Sequence, residues 1–262
     1  MSERLWSVTT LMGEGLPKPA LLGWAVKVTA EWAVDNVDAI KATAGSDREA
    51  AVDMVKRCRF RQTAEATARG SEVHRVAESY NLGAPVEATE EIRPYVDQYR
   101  RFLDDHQPTF EAAEAAVFNL TYHYAGTLDA IVNLDGARYV LDMKTTARPP
   151  GGGARPPYPD VALQLAAYGH AELVGVDPLR ETTAGGKRYY VFDEALDTTP
   201  MPEIEGALAL VVSPFDYQLV PVRYDEETWA SFLYVREVAR WQLELAKTAI
   251  GPTVATKKAQ LA

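Results

Sequence analysis

The chain has 262 residues, with 27 Lys and Arg against 37 Asp and Glu for a net charge of −10. That balance excludes a protein that coats nucleic acid by charge alone, and no run approaches the length of a membrane span. A lone cysteine, Cys58, and a start lacking a signal-peptide pattern suit a soluble protein of a reducing cytoplasm, long enough to bury a substantial core.

Residues 1–19 look irregular, punctuated by Gly13, Gly15, Pro17 and Pro19. From Ala20 to Thr43 apolar residues fall mostly at helix spacing. Ser46-Asp47 followed by Glu49-Ala50 is an N-cap signal for a second helix over 47–69. Its basic stretch from Lys56 to Arg61 heads the chain's candidates for local positive potential, although such runs are ordinarily solvated helix faces. Gly70 interrupts the pattern, and a third helix then places His74 and Glu78 one turn apart, ending at Asn81-Leu82-Gly83. A further helix is expected from Thr89 to His106. Residues 1–109 therefore read as a helical layer rather than a domain with its own core.

Strands are expected at about 110–120, 122–134 and 137–145. Asp135-Gly136, between two alternating runs, is a strong hairpin signal. With a two-residue loop, facing residues sum to 271, so Asp129 lies opposite Asp142, and Lys144 points to the same face as Asp142. The opposite face carries Ala130, Val132, Leu134, Tyr139, Leu141 and Met143, all apolar. The hairpin thus reads as a sheet with one face in a core and one presenting two carboxylates and an amine. Two carboxylates so close raise one another's pKa, a penalty that Mg²⁺ or Mn²⁺ removes. The same residues also fit a solvated sheet face with a cross-strand ion pair.

Residues 147–159, A-R-P-P-G-G-G-A-R-P-P-Y-P, exclude regular structure. Beyond them Gln164 and Tyr168, at i and i+4, share a helix face. Strands at 189–192, 207–212 and 217–222 and a long helix over 226–249 complete the core. Residues 251–262 form a tail.

Taken in order, Gly70-x-x-x-His74-x-x-x-Glu78, Gly126-Thr127-x-Asp129, Asp142-x-Lys144 and Gln164-x-x-x-Tyr168 resemble the RecB-type nucleases of the PD-(D/E)XK superfamily, above all the CRISPR-associated and phage-encoded RecB-like exonucleases. The likeness covers roughly residues 65–170 in motifs, and the opening S-V-T-T-L-M-G is also similar to phage members. The resemblance implies a mixed α/β core of the restriction-endonuclease type over 110–250, behind the helical layer. It implies Mg²⁺- or Mn²⁺-dependent hydrolysis of DNA phosphodiesters, exonucleolytic, in phage or prophage recombination, repair or processing.

On that resemblance Asp129 and Asp142 hold the ion, with the Met143 carbonyl, His74 and Glu114 completing its shell; Glu111 competes with Glu114 for the acidic position on the first core strand. Glu78 is an orienter or ion-pair partner. Lys144 orients the attacking water or stabilises charge on the phosphate. Gln164 and Tyr168 position the strand, Tyr168 by stacking a base or bonding a phosphate. Residues 147–159 are either a plain connector or a DNA-contacting loop with Arg148 and Arg155 on phosphates. Several relatives hold an iron–sulfur cluster with four cysteines; a chain with Cys58 alone does not. The partners implied are DNA and a recombination or single-strand-binding protein, with no membrane. Two other functions fit the same motifs: a structure-specific endonuclease of the junction-resolvase kind, and a catalytically silent DNA-binding recombination partner.

Overall fold

In the computed structural model, which describes residues 3–84, 86–147, 157–175, 181–184 and 187–252, the central hairpin turns on Asp135 and Gly136. Both have positive φ (53° and 87°), as the tight turn that matches strand twist requires. The Gly136 amide donates to Asn133 Oδ1 at 3.1 Å. The pairs Leu134–Ala137 and Ala130–Leu141 give the register expected from the two-residue loop.

Before the hairpin come β1 (Glu3–Ser7), α1 (Val8–Gly15), α2 (Pro19–Asp35), α3 (Val37–Ser46), α4 (Arg48–Asn81), α5 (Arg93–His106) and β2 (Thr109–Asn119). The hairpin is β3 (Tyr124–Leu134) and β4 (Ala137–Thr145). After it follow α6 (Asp160–Gly169), β5 (Leu173–Gly175), β6 (Glu181–Ala184), β7 (Lys187–Phe192), β8 (Thr198–Pro200), β9 (Gly206–Val212), β10 (Tyr217–Val222) and α7 (Glu226–Arg240). A π turn, Trp241–Leu245, and a 3-10 turn, Ala246–Thr248, prolong α7. No helix among the described residues is long and apolar enough to cross a membrane.

The strands form one mixed sheet in the order β10-β9-β4-β3-β1-β7-β6, with β2 beside β3 and β5 and β8 beyond it. The β4–β9 and β1–β3 pairs are parallel and their neighbours antiparallel. The fold is therefore mixed α/β. One face buries Leu128, Ile131, Val140 and Ala207 with residues of α1, α6 and α7. The other buries Ala130, Val132, Leu141, Met143 and Leu210 with Val73, Val76 and Ala77 of α4 and Tyr95, Tyr99 and Phe102 of α5.

Four expectations need correction. Residues 3–15 are not irregular: β1 lies between β3 and β7, and Ser7 caps α1 by accepting from the Thr10 amide at 3.0 Å. A five-residue strand stabilised by partners over a hundred residues away leaves little local signal. These residues belong to the sheet and its α1–α6–α7 side, so the helical layer does not begin at residue 1. Secondly, the run 20–43 is two helices, parted at Asn36, whose side chain donates to the Trp32 carbonyl at 2.8 Å. Thirdly, Gly70 does not break a helix, because α4 runs unbroken for 34 residues. A Cβ at Gly70 would lie 3.3 Å from Thr145 Oγ1, so this glycine serves close approach of helix to strand, at a propensity cost of about 1 kcal/mol. Finally, the sheet face bearing Asp142 and Lys144 is not open, since α1, α6 and α7 cover it. Parallel pairing of β4 with β9 brings α6 to that cover, because α6 lies in the crossover between them, while α1 and α7 join from either end of the described chain.

Gly15 shows the same use of a glycine for contact. A Cβ there would sit 2.3 Å from the backbone oxygen of Val235 on α7. Gly15→Ala should therefore lower stability by about 1–3 kcal/mol through overpacking. Urea denaturation checks this, and an unchanged midpoint would show that α1 and α7 adjust without cost.

Candidate metal centre

The site forms where the sheet forks. β2 lies along β3 for most of its length, while β1 pairs with β3 at Tyr124–Ala125 and β4 pairs with it at 130–134. Residues 126–129 of β3 pair with neither β1 nor β4. The ladder to β4 stops at Ala130–Leu141, and in place of the next backbone bond the Met143 amide donates to Asp129 Oδ2 at 2.6 Å. N–H and C=O of one strand residue point to the same edge, so the Met143 carbonyl also faces the fork.

Both β2 and β3 lose a step of alternation here. Leu128 and Ile131 share one face although three residues apart, as do Ala112 and Ala115. The β2–β3 register shifts at Glu111, between Phe110 and Ala112, and Asp129 and Glu114 are left unpaired between Ala113–Ala130 and Ala115–Leu128. Glu114 sits at φ 46°, a left-handed conformation costing an L-residue about 1–2 kcal/mol. The outcome is that both carboxylates meet His74 of α4. Nδ1 of His74 is 3.6 Å from Asp129 Oδ2 and 3.8 Å from Glu114 Oε1, and one donor atom from each of the three residues lies within 4.8 Å of the others. An open cleft of about 390 Å³ lined by Gly70, Ser71, His74, Arg75, Glu78 and Glu114 leads to the cluster. A separate small cavity beside His74, Glu114 and Asp129 is lined by Tyr99 and by Asn81, which the sequence marked only as a helix end.

Asp142 stands apart from this trio. Its side chain is buried, with Lys144 Nζ 2.8 Å from Oδ1 and 2.7 Å from Oδ2, and Oδ2 has no hydrogen bond of good geometry. The expected facing pair is not formed as a strand pair: the predicted register holds from Leu134–Ala137 to Ala130–Leu141 and stops there, and the fork turns the Asp129 carboxylate toward His74 of α4. Glu111, the competitor of Glu114, pairs instead with Arg138 at 2.7 Å.

Gln164 and Tyr168 also meet, Nε2 of Gln164 donating to the Tyr168 hydroxyl at 3.1 Å. Tyr168 is buried, and a Cβ on Gly126 would come within 2.5 Å of its ring. Its ring packs on the glycine that opens Gly-Thr-Leu-Asp and leaves no face for a base, which corrects the stacking role expected for it. Arg148 and Arg155 lie outside the described residues.

Burial foremost, and then the charge of Asp142, push Asp129 up to about 7, against the pull of His74, Lys144 and the Met143 amide. For His74, burial is the largest influence and acts downward, but the Glu114 and Asp129 carboxylates outweigh it and hold the imidazole above its ordinary value. Asp129 and His74 thus both hold their protons above their ordinary values within one cluster.

No protein-family model matches the sequence, and no curated protein matches it. Among solved structures, the crystal structure of SSO0001 aligns over 66% of this chain and 74% of its own, with 13% identity and a TM-score of 0.30. That likeness is too slight to argue from.

The raised Asp129 value fixes a sign. The folded chain keeps a proton between about pH 4 and 7 that the unfolded chain releases, so the contribution of Asp129 to stability falls as pH rises through that window. The raised His74 adds in the same direction, its contribution fading as pH rises through its folded value. In chelator-containing buffer, Asp129→Asn should lose less stability than wild type between pH 4 and 7. Denaturation midpoints across that range test it, and parallel pH profiles would refute the assignment.

Proposed function

We propose that this chain is a Mg²⁺- or Mn²⁺-dependent deoxyribonuclease acting from DNA ends. The observation that carries the reading is the convergence of His74, Glu114 and Asp129, from three separate elements, beside the Lys144–Asp142 pair. The donor set fits such an ion. Imidazole and carboxylate separations of 3.6 and 3.8 Å match ligands sharing one ion at roughly 2.0–2.2 Å each. Two acids and an imidazole suit Mn²⁺ and, with more water, Mg²⁺. A cation also relieves the burial and charge that raise Asp129. The single cysteine, Cys58, is buried and gives an iron–sulfur cluster nothing to bind.

His74, Glu114 and Asp129 would hold the ion, with the Met143 carbonyl at hand and Asp142 contributing charge. When bound, the ion supplies a water of lowered pKa and a Lewis acid for the phosphate. The rest falls to the chain itself. Asp142 keeps the Lys144 ammonium at the cluster, where it offsets the negative charge that builds on the phosphate. The Met143 amide orients Asp129. Tyr168 and Gln164 act by holding the Gly126 segment and so the geometry of the fork. The linear-substrate preference rests on the motif resemblance.

Linear end-labelled DNA and covalently closed circles, each with and without Mn²⁺, test the reading. Linear DNA should be degraded only with metal and circles should survive. Cleavage of circles would favour an endonuclease, and inertness toward both would overturn nuclease activity. Mn²⁺ should raise the melting temperature of wild type by mass action, and Glu114→Ala/Asp129→Ala should show no such rise. Lys144→Ala should bind DNA within a few-fold of wild type yet lose roughly 10²–10³ in turnover. Turnover within a few-fold of wild type would reduce Lys144 to an ion-pair partner.

A further inference from the structure

The cleft beside His74 opens along α4, and α4 extends well beyond it. With 100° and 1.5 Å per residue, four positions whose side chains are described, 4, 7, 14 and 18 residues before His74, return to within about 40° of its direction. They are Gly70, Thr67, Phe60 and Lys56. One line therefore leaves the cluster and follows the helix outward. Ala51 and Cys58, on the other side of α4, are buried, Cys58 Sγ lying 3.9 Å from Thr29 Oγ1 of α2. The line of His74 consequently faces away from α2.

Gly70 borders the cleft with no side chain, and Thr67 is small and exposed. Phe60 is 58% exposed, with the Arg59 guanidinium 4.7 Å from its ring centroid, and Lys56 is exposed. Between Arg48 and Gly70 there are six Lys and Arg against three Asp and Glu, the reverse of the chain's 27 against 37. An exposed ring flanked by cations on a polar helix offers a face to a base and charge to phosphates. The small residues nearer His74 let a backbone lie close to the helix.

Building on the nuclease reading, we propose that α4 is the track by which an unpaired nucleic-acid strand reaches the cluster, Phe60 stacking a base while Lys56 and Arg59 meet phosphates. Phe60 and Lys56 lie roughly 21 and 27 Å along the helix from His74, which a stacked strand spans in about six to eight nucleotides at 3.4 Å each. Strands shorter than that cannot engage both ends of the track.

The test measures binding by fluorescence anisotropy in the full chain carrying Asp142→Asn, with Mn²⁺ and labelled oligothymidylates of 4 and 12 nucleotides. Adding Phe60→Ala and Lys56→Ala should weaken the 12-mer about tenfold or more, one stacked base alone being worth 5- to 150-fold, and leave the 4-mer within about twofold. Phe60→Trp should retain 12-mer affinity. An equal loss on both lengths, or none on the 12-mer, overturns the track while leaving the nuclease reading intact. A greater loss on a blunt 12-base-pair duplex than on the single strand overturns the choice of an unpaired strand. If the Asp142→Asn chain binds neither oligonucleotide, the nuclease reading falls with the track.

Discussion

The bond from the Met143 amide to the Asp129 carboxylate, 2.6 Å long, is the interaction on which the site depends. A strand amide left without a ladder partner must find another acceptor or bear the cost of burial. By accepting it, Asp129 ends the β3–β4 ladder without leaving an orphan donor. The same bond fixes the carboxylate's orientation, and the fork it closes is what separates β1 from β4. Sheet topology and candidate chemistry thus meet in one side chain.

Around that bond the charges are arranged so that each is incompletely answered. Among the described residues Asp142 has only Lys144 as a cationic partner, while Asp129 and Glu114 share a single imidazole. Buried carboxylates normally neutralise or pair, and here burial and the charge of Asp142 push Asp129 toward its neutral form. Glu114 adds a backbone conformation that an L-residue adopts at a cost. Strain, desolvation and like charge gathered at one point are tolerated only where the surrounding sheet over-determines the geometry, as the two helix-covered faces do here.

Much of this was legible in the sequence, and the divisions are physical. Asp135-Gly136 set the hairpin register correctly because a two-residue turn with positive φ at both positions leaves little choice. The apolar set from Ala130 to Met143 marked the face that meets α4 and α5. His74 and Glu114 were readable only through the motif resemblance, because nothing local joins a helix to a strand forty residues on. The turn of Asp129 toward α4 was not readable, since it depends on a break in alternation shared by two facing strands. Gly15 and Gly70 misled for a common reason: a glycine that permits close packing looks, one residue at a time, like a glycine that permits a turn. Tyr168 misled because a helical aromatic at motif spacing does not reveal whether its ring lies on a base or on Gly126.

The position of β1 bears on how the chain can be assembled. Residues 3–7 are made before every other strand of the sheet described here, yet their partners are Tyr124–Ala125 on one edge and Tyr189–Phe192 on the other. During synthesis the segment waits for more than a hundred residues before its first edge is satisfied, and for nearly two hundred before its second. Contacts so distant in sequence form slowly because loop closure precedes any reward, and until then the edge of β3 stays open to foreign strands. The middle of the sheet is therefore sealed late, by the strand that precedes all the other described strands in the chain.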